Sequence, residues 1–198
     1  MAEENDKGMD KKIIVTERPE TVSWEEISSV LRAAHKKNVE NGIVLPYPHL
    51  SPDELKEKVE GRDGKMFVAL CDGKVIATGA VAIIEKNLWC GKGKYAYCFL
   101  ASVLPGFNGM GAYRRIETEQ EKFASSQGVI RCLFDTDERN HRILEISKRN
   151  GYRLVEFRVR EGRNSVVLVK WLEGCPFSRL KCWMKYNRIK YWKLLKSK

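Results

Sequence analysis

The chain has 198 residues, 43% of them hydrophobic, enough to bury one substantial core, so a single domain is the default expectation. No apolar run approaches the roughly 20 residues a membrane-crossing helix needs, and the polar stretch from Met1 to Lys12 has no signal-peptide core, so the expectation is a cytoplasmic protein. The formal net charge is +10, which directs attention to where the basic residues lie.

Residues 1–10 read as a disordered polar tail. The β-branched run Ile13-Ile14-Val15-Thr16 follows and predicts a strand within Lys11 to Arg18. Ser23 with Glu26 has capping-box spacing, and Ile27, Val30, Leu31 and Ala34 recur at helical intervals, so a helix is expected to about Asn38. His35 falls on the expected surface of that helix and His141 on that of a later one. Pro46 and Pro48 interrupt regular structure, and Ser51-Pro52-Asp53-Glu54 supplies an N-cap and a first-turn proline for a short helix to about Val59. Met66 to Cys71 and Lys74 to Ile84 are apolar and β-rich, divided by Asp72-Gly73, a two-residue hairpin signal.

A third apolar run, Tyr95 to Val103, passes through Leu104-Pro105-Gly106-Phe107 into Asn108-Gly109-Met110-Gly111-Ala112-Tyr113 and a helical stretch to Ser126. Strand, glycine turn and helix in this order can hold a phosphate, because first-turn N–H groups have no intrahelical partners and sit at the positive end of the helix dipole. The segment is neither a P-loop, which needs Gly-Lys-Ser/Thr, nor a dinucleotide fingerprint, which needs a third glycine. Val129 to Phe134, the helical Asn140 to Arg149, and strands near Tyr152 to Arg160 and Ser165 to Trp171 complete an α/β pattern with a mixed sheet.

The six cysteines, Cys71, Cys90, Cys98, Cys132, Cys175 and Cys182, form no C-x-x-C pair and have no histidine at zinc-ligand spacing. No metal site is expected. Cys71, Cys98 and Cys132 lie in strand-like runs and read as buried, reduced thiols.

Val103-Leu104-Pro105 followed by Asn108-Gly109-Met110-Gly111 resembles the acyl-CoA site of the GNAT N-acetyltransferase superfamily, whose pattern is Val-x-Pro and then Gln/Arg-x-x-Gly-x-Gly/Ala at a helix start. Asn108 stands where Gln or Arg is usual, and Tyr113 takes a usually small position. Asn140-His-Arg-Ile-Leu-Glu-Ile-Ser147-Lys-Arg-Asn-Gly151-Tyr152 is similar to the family's second helix, with Ser147 where a tyrosine is usual. The resemblance spans roughly Lys11 to Leu172, so domain boundaries are set at 11–172, with 173–198 as an extension. It implies a mixed, mostly antiparallel central sheet flanked by helices.

What the resemblance implies for chemistry is direct transfer of an acetyl group from acetyl-CoA, as co-substrate, to the amine of a small molecule or peptide. Backbone groups around Ser102 and Val103 would meet the thioester and pantetheine, and Asn108, Gly109, Met110, Gly111, Ala112 and Tyr113 would meet the pyrophosphate. Asn140 would also contact the cofactor. Ser147 occupies the position of the group that protonates the thiolate. An attacking amine must lose a proton, and the strand from Tyr95 to Pro105 carries no acidic residue, so Tyr97, Glu85, His49 and Asp135 are the candidates. A noncatalytic CoA-binding or regulatory module is the alternative raised by Ser147.

The C-terminal stretch 173–198 concentrates Arg179, Lys181, Lys185, Arg188, Lys190, Lys193, Lys196 and Lys198 against Glu173 alone. Leu180, Trp183, Met184, Tyr191, Leu194 and Leu195 cluster on one side of a helical wheel, giving a basic amphipathic helix. Three readings stay open: packing on the domain, docking of 176–198 on an anionic membrane, or nucleic-acid and ribosome association. The body offers no RNA-binding module, so nucleic acid ranks last.

Overall fold

The computed structural model describes residues 12–43, 45, 47–88, 90–160 and 163–172. The expected tail at 1–10 and the basic extension at 173–198, with Cys175 and Cys182, lie outside the described residues.

The chain order is β1 (Ile13–Glu17), α1 (Trp24–Glu40), α2 (Pro52–Glu60), β2 (Lys65–Cys71), β3 (Lys74–Leu88), β4 (Gly91–Val103), α3 (Ala112–Ser126), β5 (Arg131–Asp137), α4 (His141–Arg149), β6 (Arg153–Arg160) and β7 (Arg163–Trp171). The strands make one seven-stranded sheet ordered β1-β2-β3-β4-β5-β7-β6. Every neighbouring pair is antiparallel except β4 and β5. This is the mixed, mostly antiparallel sheet flanked by helices that the sequence predicts.

Local chemistry accounts for the boundaries. Ser51 and Glu54 exchange side-chain and backbone hydrogen bonds at the start of α2, a complete capping box with Pro52 in the first turn. Ser23 accepts from the Glu26 N–H at the start of α1. Asp72 and Gly73 both take positive φ, 51° and 75°, as the tight β2–β3 hairpin requires. The β3–β4 hairpin is longer than the sequence suggests: Glu85 pairs with Lys94 and Leu88 with Gly91, in a stretch whose polar residues hide the strand pattern.

Two helix layers sandwich the sheet. On one face α1 and α2 bury Ile27, Leu31, Leu55 and Val59 against Val68, Ala80, Ala82 and Phe99. On the other, Ala112, Ile116 and Ala124 of α3 pack against Val81, Ala96, Cys98, Cys132 and Phe134. Cys71, Cys98 and Cys132 are buried and unpaired, and Cys90 is half-buried. Alternation along β4 therefore sends Tyr97 and Phe99 to the α1/α2 face and Ala96 and Cys98 to the α3 face.

Candidate active site

The parallel pair β4/β5 is registered at only two positions, Ala96 with Cys132 and Tyr97 with Leu133. Beyond Tyr97 the strands diverge, leaving the β5-facing edge of β4 without a strand partner up to Val103 among the described residues. Ligands in α/β sheets bind beyond the carboxyl ends of strands, where helices leave in different directions. Both α3 and α4 start at this end of the split.

A bulge shapes the exposed edge. The β3–β4 register shifts between Thr78 and Ala80, so Gly79 faces both Leu100 and Ala101. Leu100 is fully buried and has φ 55°, a left-handed conformation that a branched side chain adopts only under constraint. Side chains supply that constraint. The Thr78 hydroxyl donates to Leu100 O at 2.8 Å, the Ser102 hydroxyl to Thr78 Oγ1 at 2.7 Å, and His35 Nε2 to Ala101 O at 3.2 Å. Because a carbonyl only accepts, His35 is the Nε2–H tautomer, with Nδ1 left to accept from Asn38 Nδ2 at 3.4 Å. Burial lowers the His35 pKa below its ordinary value.

The bulge is also where α3 presses hardest. A Cβ on Gly79 would stand 2.6 Å from Ile116 Cγ2 and 3.0 Å from Gln120 Nε2. Gln120 ties the contact down by donating to Ala80 O at 2.9 Å. Only glycine permits this approach.

From Val103 the chain turns through Leu104, whose N–H still reaches Ile76 O at 2.9 Å, into a short 3-10 turn at Pro105–Phe107. Asn108 is occupied in holding the turn, its Nδ2 donating to Pro105 O at 2.8 Å. Gly109 and Gly111 take φ 85° and 76°, which aims successive N–H groups to one side. Gly111 is the N-cap of α3, with no side-chain cap and no acidic residue in the first turn. The first return bond is from Arg115 N–H to Gly111 O, so the N–H groups of Ala112, Tyr113 and Arg114 have no backbone acceptor among the described residues. Asn140 starts α4 likewise without a capping bond, its Nδ2 reaching Thr136 Oγ1 at 3.3 Å.

Beneath the split on the α3 side, Glu117 is buried. Its Oε2 accepts from Arg114 Nη1 at 2.6 Å and Asn150 Nδ2 at 2.7 Å, while Oε1 has no hydrogen-bond partner among the described residues. Burial raises the Glu117 pKa despite the Arg114 hydrogen bond. Burial, then Glu117 and Cys98, push the neighbouring Tyr113 phenol up as well. Ser147 is buried, and its hydroxyl donates to Ile143 O at 2.6 Å within α4.

On the opposite side of the split a hydrogen-bonded chain crosses from loop to strand to strand. Tyr97 donates to Asp135 Oδ1 at 2.8 Å, and Tyr47 lies 3.0 Å from Tyr97 Oη. Tyr97 has one proton, so Tyr47 is the donor in that second bond. Phe99 stacks on Tyr97 with ring centroids 5.2 Å apart. Burial first, then Tyr47 and Asp135, hold the Tyr97 phenol far above its ordinary pKa.

The structure thus brings Tyr97 and Asp135 into one arrangement and sets Ser102, Val103 and residues 108–113 along the adjoining edge and turn. Glu85 is exposed at the outer end of the β3–β4 hairpin opposite Lys94, on the far side of the Ala96/Cys132 pair from the split. His49 is exposed, one residue beyond buried Pro48. His141 is exposed as expected, but His35 is half-buried against β4 rather than on the outer surface of its helix. The signal for His35 was its spacing: Ile27, Leu31 and His35 continue one stripe at four-residue intervals. Tyr47 and Thr78 had no comparable signal.

With this geometry established, the chain can be set beside known proteins. The model of the Acetyltransferase (GNAT) family matches residues 24–152. No curated protein matches in sequence. The ribosomal-protein-S18-alanine N-acetyltransferase of Escherichia coli aligns with a TM-score of 0.63 at 13% identity, covering 84% of this chain and 97% of that one. An aminoglycoside 6'-acetyltransferase type Ii aligns at 0.64 and 15%, covering 82% and 99%. The paia N-acetyltransferase of Thermoplasma acidophilum, in complex with coenzyme A, aligns at 0.62 and 16%, covering 81% and 99%. At these identities the likenesses speak for the fold.

Proposed function

The chain belongs to the GNAT acetyltransferase family, and from that premise we propose that it transfers an acetyl group from acetyl-CoA directly to a primary amine. The observation that carries the reading is the split between β4 and β5, which opens onto an uncapped, non-acidic helix start. Phosphate oxygens fit there for two reasons. The left-handed glycines present N–H groups, and the space a Cβ would occupy at Gly109 and Gly111 is open.

Acetyl-CoA supplies an activated thioester carbonyl and a thiolate leaving group. The protein's part is binding, orientation and proton handling. Residues 108–113 would hold the pyrophosphate through backbone N–H groups, with Asn108 fixing the turn. The free edge at Ser102 and Val103 would pair with the pantetheine amides and, at the bulge, polarise the carbonyl. Thr78 and His35 occupy the carbonyls of Leu100 and Ala101, which leaves the bulge rigid as charge develops.

The incoming ammonium must lose a proton to attack. The Tyr47–Tyr97–Asp135 chain is the route we assign to it, with Asp135 as acceptor and Tyr97 as relay. From ammonium to amide the nitrogen gives up two protons, one before attack and one from the tetrahedral adduct; the departing sulfur takes one and the other passes by way of Asp135 to solvent, so the exchange is balanced. Ser147 directs its hydroxyl proton to Ile143 O, an arrangement that favours proton return to sulfur from the amine side over donation by Ser147.

The test is thermal unfolding with and without acetyl-CoA, paired with amine-dependent release of CoA. A ligand at about 100 times its dissociation constant stabilises the native state by about 2.7 kcal/mol. Gly111→Val, which forces a branched residue into a left-handed φ, should remove that shift. Absence of any shift at millimolar acetyl-CoA would sink the reading. A shift with no CoA release across a broad amine panel would instead support the noncatalytic CoA-binding alternative, which the engaged Ser147 hydroxyl favours.

A further inference from the structure

The mouth of the split on the α1/α2 face holds a cation with no counter-ion among the described residues. Arg62, in the turn after α2, is exposed, and its guanidinium carbon lies 5.9 Å from the Tyr97 ring centroid and 5.7 Å from that of Phe99. Among the described residues it makes no ion pair and no side-chain hydrogen bond. Two other arginines at this end of the sheet are engaged: Arg158 grips Glu156 with two 2.9 Å bonds, and Arg139 grips Asp137 at 3.0 and 2.8 Å.

Arg62 is therefore placed against the two rings, with no hydrogen-bond acceptor on its donors among the described residues. A guanidinium is suited to bidentate recognition of a carboxylate or phosphate. At the other end of the same tyrosine, Asp135 takes the 2.8 Å bond from the hydroxyl. One side chain thus separates the Arg62 guanidinium from a carboxylate, and the floor between them is the Tyr97/Phe99 stack.

We infer that the acceptor is an amine that also bears an anionic group a few bonds away, with Arg62 taking the anion and the amine directed to Tyr97 and Asp135. This rests on the acetyltransferase reading for the amine end, but the anion end is separable from it. A purely cationic acceptor such as a polyamine would place positive charge against an uncompensated guanidinium. Arg62 lies on the face opposite α3, so the phosphates expected at residues 108–113 are not its ligand.

The experiment is calorimetric titration of the full chain, with CoA present, using two matched pairs: β-alanine against β-alaninamide, and O-phosphoethanolamine against ethanolamine. A guanidinium-to-anion hydrogen-bonded pair predicts binding of the anionic member tighter by about ten- to a hundredfold. Whichever pair shows the larger gap identifies carboxylate or phosphate. Arg62→Gln should erase the gap, and Arg62→Lys should keep part of it, with the melting temperature unchanged because the side chain is exposed. Equal binding within both pairs, no binding by any member, or a gap that survives Arg62→Gln would overturn the inference. If acetyl-CoA itself fails to stabilise the protein, the acetyltransferase reading falls, while the same titration without CoA still reads the anion preference of Arg62.

Discussion

The helices on one face of the sheet close their own N-termini, and those on the other leave them open. Ser23 caps α1, Ser51 and Glu54 cap α2, and acidic residues follow in both first turns. The starts of α3 and α4 have neither a side-chain cap nor an acidic first turn. Capping is worth roughly 1 kcal/mol per helix, so its omission beside the β4/β5 split gives up stability where a ligand can supply the missing acceptors. The difference teaches a way to locate a binding face: ask which helix starts are unfinished.

The comparison implies a division of labour, with cofactor-phosphate binding on the open side and proton handling on the capped side. Asp135→Asn should break only the second. Turnover should fall by about 10²- to 10⁴-fold, the usual contribution of general acid–base catalysis, while thermal stabilisation by acetyl-CoA persists. Loss of that stabilisation in the variant would show that the two sides are not independent.

Exchanging the helix starts gives a smaller and more pointed effect. Ser51→Ala should cost about 0.5–2 kcal/mol of stability and leave acetyl-CoA binding alone. Met110→Asp, on an exposed residue just before Gly111, should do the reverse, raising the stability of the free protein by about 0.3–1 kcal/mol through the helix dipole and weakening acetyl-CoA. Melting curves of both variants with and without ligand decide it. If Met110→Asp is destabilising in the free protein, the unfinished start is not an electrostatic site.

The smallest effect is in pH. His35, on the capped side, has its pKa lowered from 6.5 by burial. The unfolded state takes up its proton first as pH falls through 6.5, so stability drops from there downward until the folded pKa is passed. Glu117, on the open side, has its pKa raised from 4.5. The folded state takes up that proton first, so its contribution grows as pH falls through the folded value and is complete below 4.5. Glu117→Gln should therefore flatten the acid limb in one direction and His35→Gln in the other. Parallel shifts of the two melting profiles would refute the opposed signs.

How legible each side was follows from the range of its contacts. The open side is a contiguous segment, Val103 to Tyr113, whose turn glycines and missing cap are local properties of the sequence. The capped side is assembled from distance: Tyr97 meets Asp135 across 38 positions, Tyr47 meets Tyr97 across 50, and His35 meets Ala101 across 66. Spacing could nominate Tyr97 and Asp135 as polar residues near strand ends, but it could not pair them, and it offered Glu85 and His49 on equal terms. The fold was more readable because hairpin and capping signals are short-range, as Asp72-Gly73 and Ser51 to Glu54 illustrate. It failed where polar residues continue a strand, at Glu85 to Leu88.

The sheet also has a seam. Strands β1 to β4 are joined to their sequence neighbours by ladders, and β5, β6 and β7 pair among themselves, but among the described residues the two groups are in strand register only at Ala96/Cys132 and Tyr97/Leu133. The lips of this seam are the least cross-linked backbone in the sheet, and closing it requires a crossover through the whole of α3 rather than a hairpin turn. A substrate that hydrogen-bonds along β4 while touching the start of α4 acts as a removable strand, completing the sheet for as long as the reaction lasts.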